Sequence, residues 1–337
     1  MIPDSVNAPY LSASESLKAE FGRKIYKLAL DIGCTCPTRD GTKGTRGCIF
    51  CSQAGSGDFS ERFTGRQEEL DRAKARLSRK LDVGGAGFIA YFQNFTNTYA
   101  PAEYLEPLFT AALKDPSVVA LSIATRPDCL GPDILEMLTQ LSRKAPVFVE
   151  LGLQTIHPAT AAFIRRGFEL EEYDEAVRQL RARNIRVITH LIFGLPYGGQ
   201  TTFTTACTTA CTANEFSASV PAAGGNAPRL SLESPEMMLE SVRYVVQRGV
   251  NGVKFQLLHV LRGTDLATLY ELGAFRTLEL DEYVELVRQA ISLLPPGVAV
   301  HRVTGDAPRK LLLAPLWSTD KKRILNRINA AVRGDVL

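Results

Sequence analysis

The chain has 337 residues, 45% of them hydrophobic, and a formal net charge of +3. That apolar content is ample for the core of one large domain or two, while so small a net charge gives no electrostatic argument for a nucleic-acid binder. Asp4, Glu15, Lys18 and Glu20 crowd the N-terminus and no stretch approaches the ~20 apolar residues of a membrane span, so neither a signal peptide nor a membrane protein is expected, and the expected location is cytoplasmic.

Residues 1–22 read as a polar lead-in with a short helix over 14–21. Residues 24–32 read as a strand that delivers a glycine-rich loop, and 66–81 have helical spacing and strong helix formers. A short apolar strand over 87–92 ends in Gln93-Asn94-Phe95-Thr96-Asn97-Thr98. A helix over 101–113 starts with Pro101 in its first turn. The strand over 118–124 ends in Thr-Arg-Pro-Asp, a helix follows over 132–141, and the strand over 147–153 ends in Gln154-Thr155. Helices near 158–164 and 170–184 precede a strand over 186–193, which holds His190 and ends in Gly194-Leu195-Pro196. A helix over 235–248 leads to a strand over 252–258 that runs into His259. The tail adds a helix over 280–294, a strand over 298–303 and a last helix near 319–332.

Six strands alternating with helices predict an α/β chain. Runs such as Val118-Val119-Ala120-Leu121-Ser122-Ile123 are almost continuously apolar, as a parallel sheet covered on both faces requires. Six βα units with right-handed crossovers curl into an incomplete (β/α)6 TIM-type barrel. The expected organisation is a lead-in (1–22), a partial barrel (23–260) and a short α/β C-terminal extension packed on it (261–337). Residues 198–234 depart from this pattern: they are rich in Thr, Ala, Ser and Gly, nearly uncharged, and hold Cys207 and Cys211. They read as a low-complexity insertion, with disorder the first expectation.

Four of the seven cysteines fall within 31–59, and Cys36, Cys48 and Cys51 form a C-x11-C-x2-C array in a flexible loop. Thiolates so placed can converge on one soft metal centre. An odd cysteine count argues against a disulfide framework. Zinc is the main rival to an iron–sulfur cluster; it needs a fourth ligand, which Cys34 would have to supply. Three thiolates satisfy three irons of a 4Fe–4S cube, where four is usual, and leave one iron open to a small molecule.

Cys-Ile-Phe-Cys (48–51) resembles the end of the signature loop of radical S-adenosylmethionine (SAM) enzymes. The longer string Thr-Cys-Pro-Thr-Arg-Asp-Gly-Thr-Lys-Gly-Thr-Arg-Gly-Cys-Ile-Phe-Cys (35–51) is similar to the YhcC-like group of that superfamily, which is related to the catalytic subunit of Elongator. The common radical SAM loop places three residues between its first two cysteines; the YhcC-like group places eleven, as here. The blocks at 257–265, 301–306 and 314–318 also resemble that group, whose sequences carry an aromatic at the position of Cys34, which therefore reads as packing.

The resemblance implies the partial barrel, a 4Fe–4S cluster and SAM. On that reading the open iron chelates the SAM amino and carboxylate groups, and one electron from the cluster cleaves SAM to methionine and a 5′-deoxyadenosyl radical. A flavodoxin- or ferredoxin-like reductant is implied with it. Residue by residue, Phe50 matches the residue whose backbone meets the adenine, Gln154 the glutamine on the ribose, and Arg166 the arginine on the SAM carboxylate, with Arg165 as the adjacent fallback. His190 stands where related enzymes have a ribose-contacting Asp. The usual Gly-Gly-Glu is absent, and Gln93, Asn97 and Thr98 are the replacements on offer for the SAM amino group.

Working residues of such barrels sit at strand ends. His259, His301 and Arg302 are the candidate catalytic, substrate-facing residues, with Arg262 and Asp306 near them; packing of the tail against the open barrel edge is the competing role. The expected function is hydrogen abstraction from an unidentified substrate, RNA being the leading class by kinship to Elongator. The alternative is a non-catalytic metal-binding or RNA-binding module that keeps the fold.

Overall fold

The computed structural model describes residues 10–53, 55, 60–79, 82–198 and 229–335. The chain forms α1 (Ala13–Phe21), β1 (Ile25–Asp31), β2 (Glu61–Arg62), α2 (Gln67–Ser78), β3 (Gly87–Phe92), α3 (Ala102–Ala112), β4 (Val118–Thr125), α4 (Pro132–Ser142), β5 (Val147–Gln154), α5 (Pro158–Phe163), α6 (Leu170–Ala182) and β6 (Arg186–Phe193). There follow β7 (Pro196–Tyr197), β8 (Ser231–Leu232), α7 (Pro235–Gln247), β9 (Gly252–Leu257), β10 (Val260–Leu261), α8 (Asp265–Glu271), α9 (Leu280–Ser292), β11 (Ala299–Arg302), β12 (Leu312–Ala314) and α10 (Lys321–Arg333).

Eight strands make one parallel sheet in the order β2-β1-β3-β4-β5-β6-β9-β11. It curls into the partial barrel that the alternation of strands and helices predicted. Parallel neighbours need long crossovers, and the intervening helices supply them. β11, expected in the tail, extends the sheet beside β9, with Ala299 opposite Gly252. Two short antiparallel ladders, β7–β8 and β10–β12, were not foreseen. β8 lies within the expected insertion 198–234; Cys207 and Cys211 lie outside the described residues. No helix among the described residues is long and apolar enough to cross a membrane.

Side chains of a strand alternate between its faces, and here the two faces differ. The outward set, including Leu28, Leu30, Phe92, Leu121, Val149, Leu151, Val187, Val253 and Phe255, packs under the helices as the main core. The inward set is layered. Ile25, Ile89, Ala120, Phe148 and Ile188 form an apolar bottom, sealed by Leu17 and Phe21 of α1. The lead-in is therefore a plug. Its helix is fixed by a capping box between Ser12 and Glu15 and ends at left-handed Gly22; Leu11 accepts from Val300 N (2.8 Å). One step up each strand, the inward residues are Lys27, Tyr91, Ser122, Glu150, His190 and Lys254. Above them a cavity of about 700 Å³ opens at the strand C-termini, within the ~300–1,000 Å³ usual for small-molecule sites.

Candidate active site at the strand ends

The loop after β1 brings Cys36, Cys48 and Cys51 onto one wall of this cavity. It is held from several directions. Cys48 O accepts from Cys51 N (3.0 Å), and Arg39 Nη2 donates to the carbonyls of Cys51 (3.1 Å) and Ser52 (2.7 Å). Lys43 pairs with Asp128 at 2.7 Å. Arg46 pairs with Asp265 at 2.6 Å, and Asp265 also binds Arg165. Ile49 exchanges backbone bonds with Ile164 (3.3 Å) and Leu266 (3.0 Å), and sits in an apolar cluster with Ile192 and Leu258.

Cys34 is buried in the main core, where burial, then Asp31, pushes its thiol up to about 11. Among the described residues no three of His, Cys, Asp or Glu converge closely enough for one metal ion.

At the end of β5 the ladder to β6 slips between Gly152 and Gln154. Gln154 takes a left-handed φ of +70°, a strained conformation for a residue with a Cβ. The bulge turns its amide into the cavity. Phe50, Gln93, Arg166 and His190 line the same space. Gln93 Nε2 donates to Ser60 Oγ (2.9 Å).

Arg166 is almost fully committed. Nε and Nη2 donate to Phe168 O (3.1 and 2.9 Å), Nη1 donates to Thr155 O (2.7 Å), and the guanidinium lies 4.3 Å from the centre of the Phe168 ring. Arg126 binds Asp128 through two bonds and the Arg166 carbonyl at 2.7 Å, which fixes that turn. Arg165 spends its Nη2 on Asp265.

Two of the residues expected to contact the cofactor lie away from the cavity. Asn97 and Thr98 are buried and do not line the cavity. Asn97 Nδ2 donates to the carbonyls of Asn94 and Ala124, both at 3.0 Å. Thr98 Oγ1 lies 2.5 Å from Thr125 Oγ1 and donates to Cys129 O (2.6 Å). Both residues brace the loop after β3.

The C-terminal candidates divide as well. His259, Arg302 and Asp306 line the cavity; His301 and Arg262 do not. His301 occupies the space left by Gly252, where a Cβ would lie 2.6 Å from its Cδ2. The irregularity between Val300 and Arg302 turns it down there. Burial, then Lys27, pushes its pKa well below the usual range. Burial also pushes His259 to about 4.

Sequence reasoning missed the floor. Glu150 Oε1 meets Lys27 Nζ (2.5 Å) and accepts from Ser122 Oγ (2.7 Å); Oε2 meets Lys254 Nζ and His190 Nε2 (3.0 Å). Lys254 Nζ also donates to Tyr91 OH (3.1 Å). Burial alone would raise the Glu150 carboxyl, but Lys254, Lys27 and His190 hold it well below its usual range. Burial, then Lys254, pushes His190 down to about 4, against the pull of Glu150. The available signal was a lone charge in each apolar strand: Ile-Tyr-Lys-Leu, Phe-Val-Glu-Leu and Gly-Val-Lys-Phe.

Residues 41–199 match the Radical SAM superfamily and residues 250–333 the Radical SAM C-terminal domain. The chain is 40% identical over 321 residues to the uncharacterized protein YtqA of Bacillus subtilis (strain 168), covering 95% of this chain and 88% of YtqA. The chain belongs to the radical SAM superfamily. It is a radical SAM enzyme of the YhcC-like group, related to Elongator. It is 31% identical to YhcC of Escherichia coli (strain K12), covering 90% of this chain and 86% of that one. Among solved structures it is similar to the archaeal Elp3 of Methanocaldococcus infernus with residues 1–46 deleted, at TM-score 0.59 and 17% identity. That match covers 92% of this chain and 63% of the other.

A radical SAM enzyme uses a [4Fe–4S] cluster and SAM, and the residues present fit both. Three thiols from one loop line the same cavity. Burial pushes Cys48 up to about 12 and raises Cys51, which Arg39 partly offsets; thiols so placed give up their protons when a metal takes their place. Amide and backbone groups beside them suit a polar nucleoside.

Proposed function

We propose that Cys36, Cys48 and Cys51 ligate the cluster and that the neighbouring polar wall seats SAM for hydrogen abstraction from a substrate in the same cavity. When bound, the group supplies a 5′-deoxyadenosyl radical by one-electron cleavage of SAM, with a flavodoxin- or ferredoxin-like donor as electron source. The Gln154 amide offers a donor and an acceptor to the ribose hydroxyls, and the bulge holds it in place. The Phe50 backbone would meet the adenine. Arg166, whose bonds to the carbonyls of Phe168, Thr155 and Leu153 fix the plane of the guanidinium, would offer its remaining N–H to the SAM carboxylate. Gln93, positioned by Ser60, serves the amino group. His190, held by Glu150, presents a neutral ring. His259 and Arg302 face the substrate. Kinship to Elongator, supported by the likeness to archaeal Elp3, makes RNA the substrate class to test first; it is analogy at the level of the fold.

The observation that carries this reading is that one cavity gathers three thiols, Gln154, His259 and Arg302. Anaerobic reconstitution is expected to load about four irons and four sulfides per chain. Addition of SAM and dithionite then releases 5′-deoxyadenosine. Cys48→Ser abolishes both, whereas Cys34→Ser retains the iron. A fully loaded chain that never cleaves SAM refutes the proposal.

A further inference from the structure

We propose that the floor of the barrel cavity is a substrate subsite for an oxyanion, a carboxylate or a phosphate, gripped by Arg302 and Lys27 beside the His259 ring. It rests on the reading above that this cavity turns over a substrate.

Charge imbalance is the first reason. Lys27 and Arg302 line the cavity and Lys254 lies beside them, whereas among the described residues the acids on its wall are Glu150 and Asp306. Glu150 already serves Lys27, Lys254, Ser122 and His190, and Asp306 is bound to Lys321. Arg302 has no hydrogen-bond or ion-pair partner among the described residues, and its Cα pairs with that of Lys254 across β9 and β11. Its charge reaches Lys254, His190 and His259, adding to the burial that already disfavours their protonated forms. A surplus cation in a partly enclosed space is unfavourable without a counter-charge.

The second reason is independent of charge. His259 is only 7% exposed, lines the same cavity, and its buried Nε2 has no hydrogen-bond partner among the described residues. A buried polar atom left unmatched costs free energy until something pairs with it. A guanidinium fork matches two oxygens of a carboxylate or a phosphate, and a neutral imidazole beside it can donate to a third contact. This subsite shares the cavity with the cysteines. It would hold one end of a substrate and leave a carbon of that substrate nearer the thiol wall.

The test uses the reconstituted holoenzyme with SAM, kept anaerobic. Inorganic phosphate and succinate are titrated separately by calorimetry. One of the two is expected to saturate at about one site per chain, and which one it is tells a phosphate-bearing from a carboxylate-bearing substrate. Arg302→Gln, which removes no internal partner, weakens that binding roughly tenfold or more, and Arg302→Lys restores part of it. Titrations of both anions that never saturate, or a saturation that Arg302→Gln leaves unchanged, overturn the subsite. Failure of the radical reading looks different: no SAM binding and no 5′-deoxyadenosine, with the anion titration still saturating.

Discussion

Gly152 leaves the room that Gln154 occupies. A Cβ on Gly152 would lie 2.9 Å from Gln154 Nε2, so Gly152→Ala must push the amide out of place while the strand backbone stays put. SAM affinity is expected to fall roughly tenfold, ~1.4 kcal/mol, by equilibrium binding to the loaded protein, with a change in unfolding free energy below ~1 kcal/mol. A second expectation concerns pH. His190 and His259 are both held at about 4 by burial, with Lys254 adding for His190 and Arg302 for His259; an unfolded histidine titrates near ~6.5. The folded value is the lower one, so the unfolded chain takes up protons first. Their contribution is whole above ~6.5 and is lost as pH falls towards about 4. Glu150, depressed as well, carries the loss further below the ordinary carboxylate range. Urea midpoints should therefore drop steadily from pH 7 to 5, and His259→Gln should flatten part of that slope relative to the parent.

Among the elements, α8 has an effect out of proportion to its seven residues. Asp265, at its first turn, ties Arg46 of the cysteine loop to Arg165, while Leu266 N reaches Ile49 O. These ion pairs are half-exposed and worth little globally, ~0–1 kcal/mol each. Their effect is local: they hold the loop shut. Asp265→Ala is expected to leave the unfolding midpoint nearly unchanged but to speed iron release to a chelator several-fold; an unchanged release rate would remove α8 from this role. No sequence pattern announced α8, since Asp265 finds Arg46 across 219 positions of chain. The long elements were legible because their outward faces are apolar at regular spacing. The fate of neighbouring polar residues was not: Gln93 and Asn97 read alike in one run, and only contacts with Ala124 and Asn94 turn Asn97 away. His301 looked as substrate-facing as Arg302, and the bulge between β9 and β11 separates them. The Lys27–Glu150–Lys254 floor joins strands 123 and 104 residues apart. The lone charges were visible, but their convergence was not.

As a whole, the barrel is a column of three storeys: an apolar plug, a charged floor and an open chamber. The order is physically constrained. Glu150 and Lys254 are almost wholly buried, and their mutual pull is strong only where water is kept out. The chamber above must admit ligands, so the seal has to come from below, where Leu17 of α1 closes on residues from β1, β3, β4, β5 and β6. Leu17 is 6% exposed, and Leu17→Ala should cost ~2–5 kcal/mol as any buried leucine does. A plug makes a further claim that ordinary packing does not. Water let in beneath the floor relieves the burial that depresses His190, so its pKa, read by NMR of the ring protons, should rise from about 4 in Leu17→Ala, and iron loading by the distant cysteine loop should be unaffected. Destabilisation with an unmoved His190 would make α1 a mere strut, because a seal whose removal leaves the charged layer dry is not a seal.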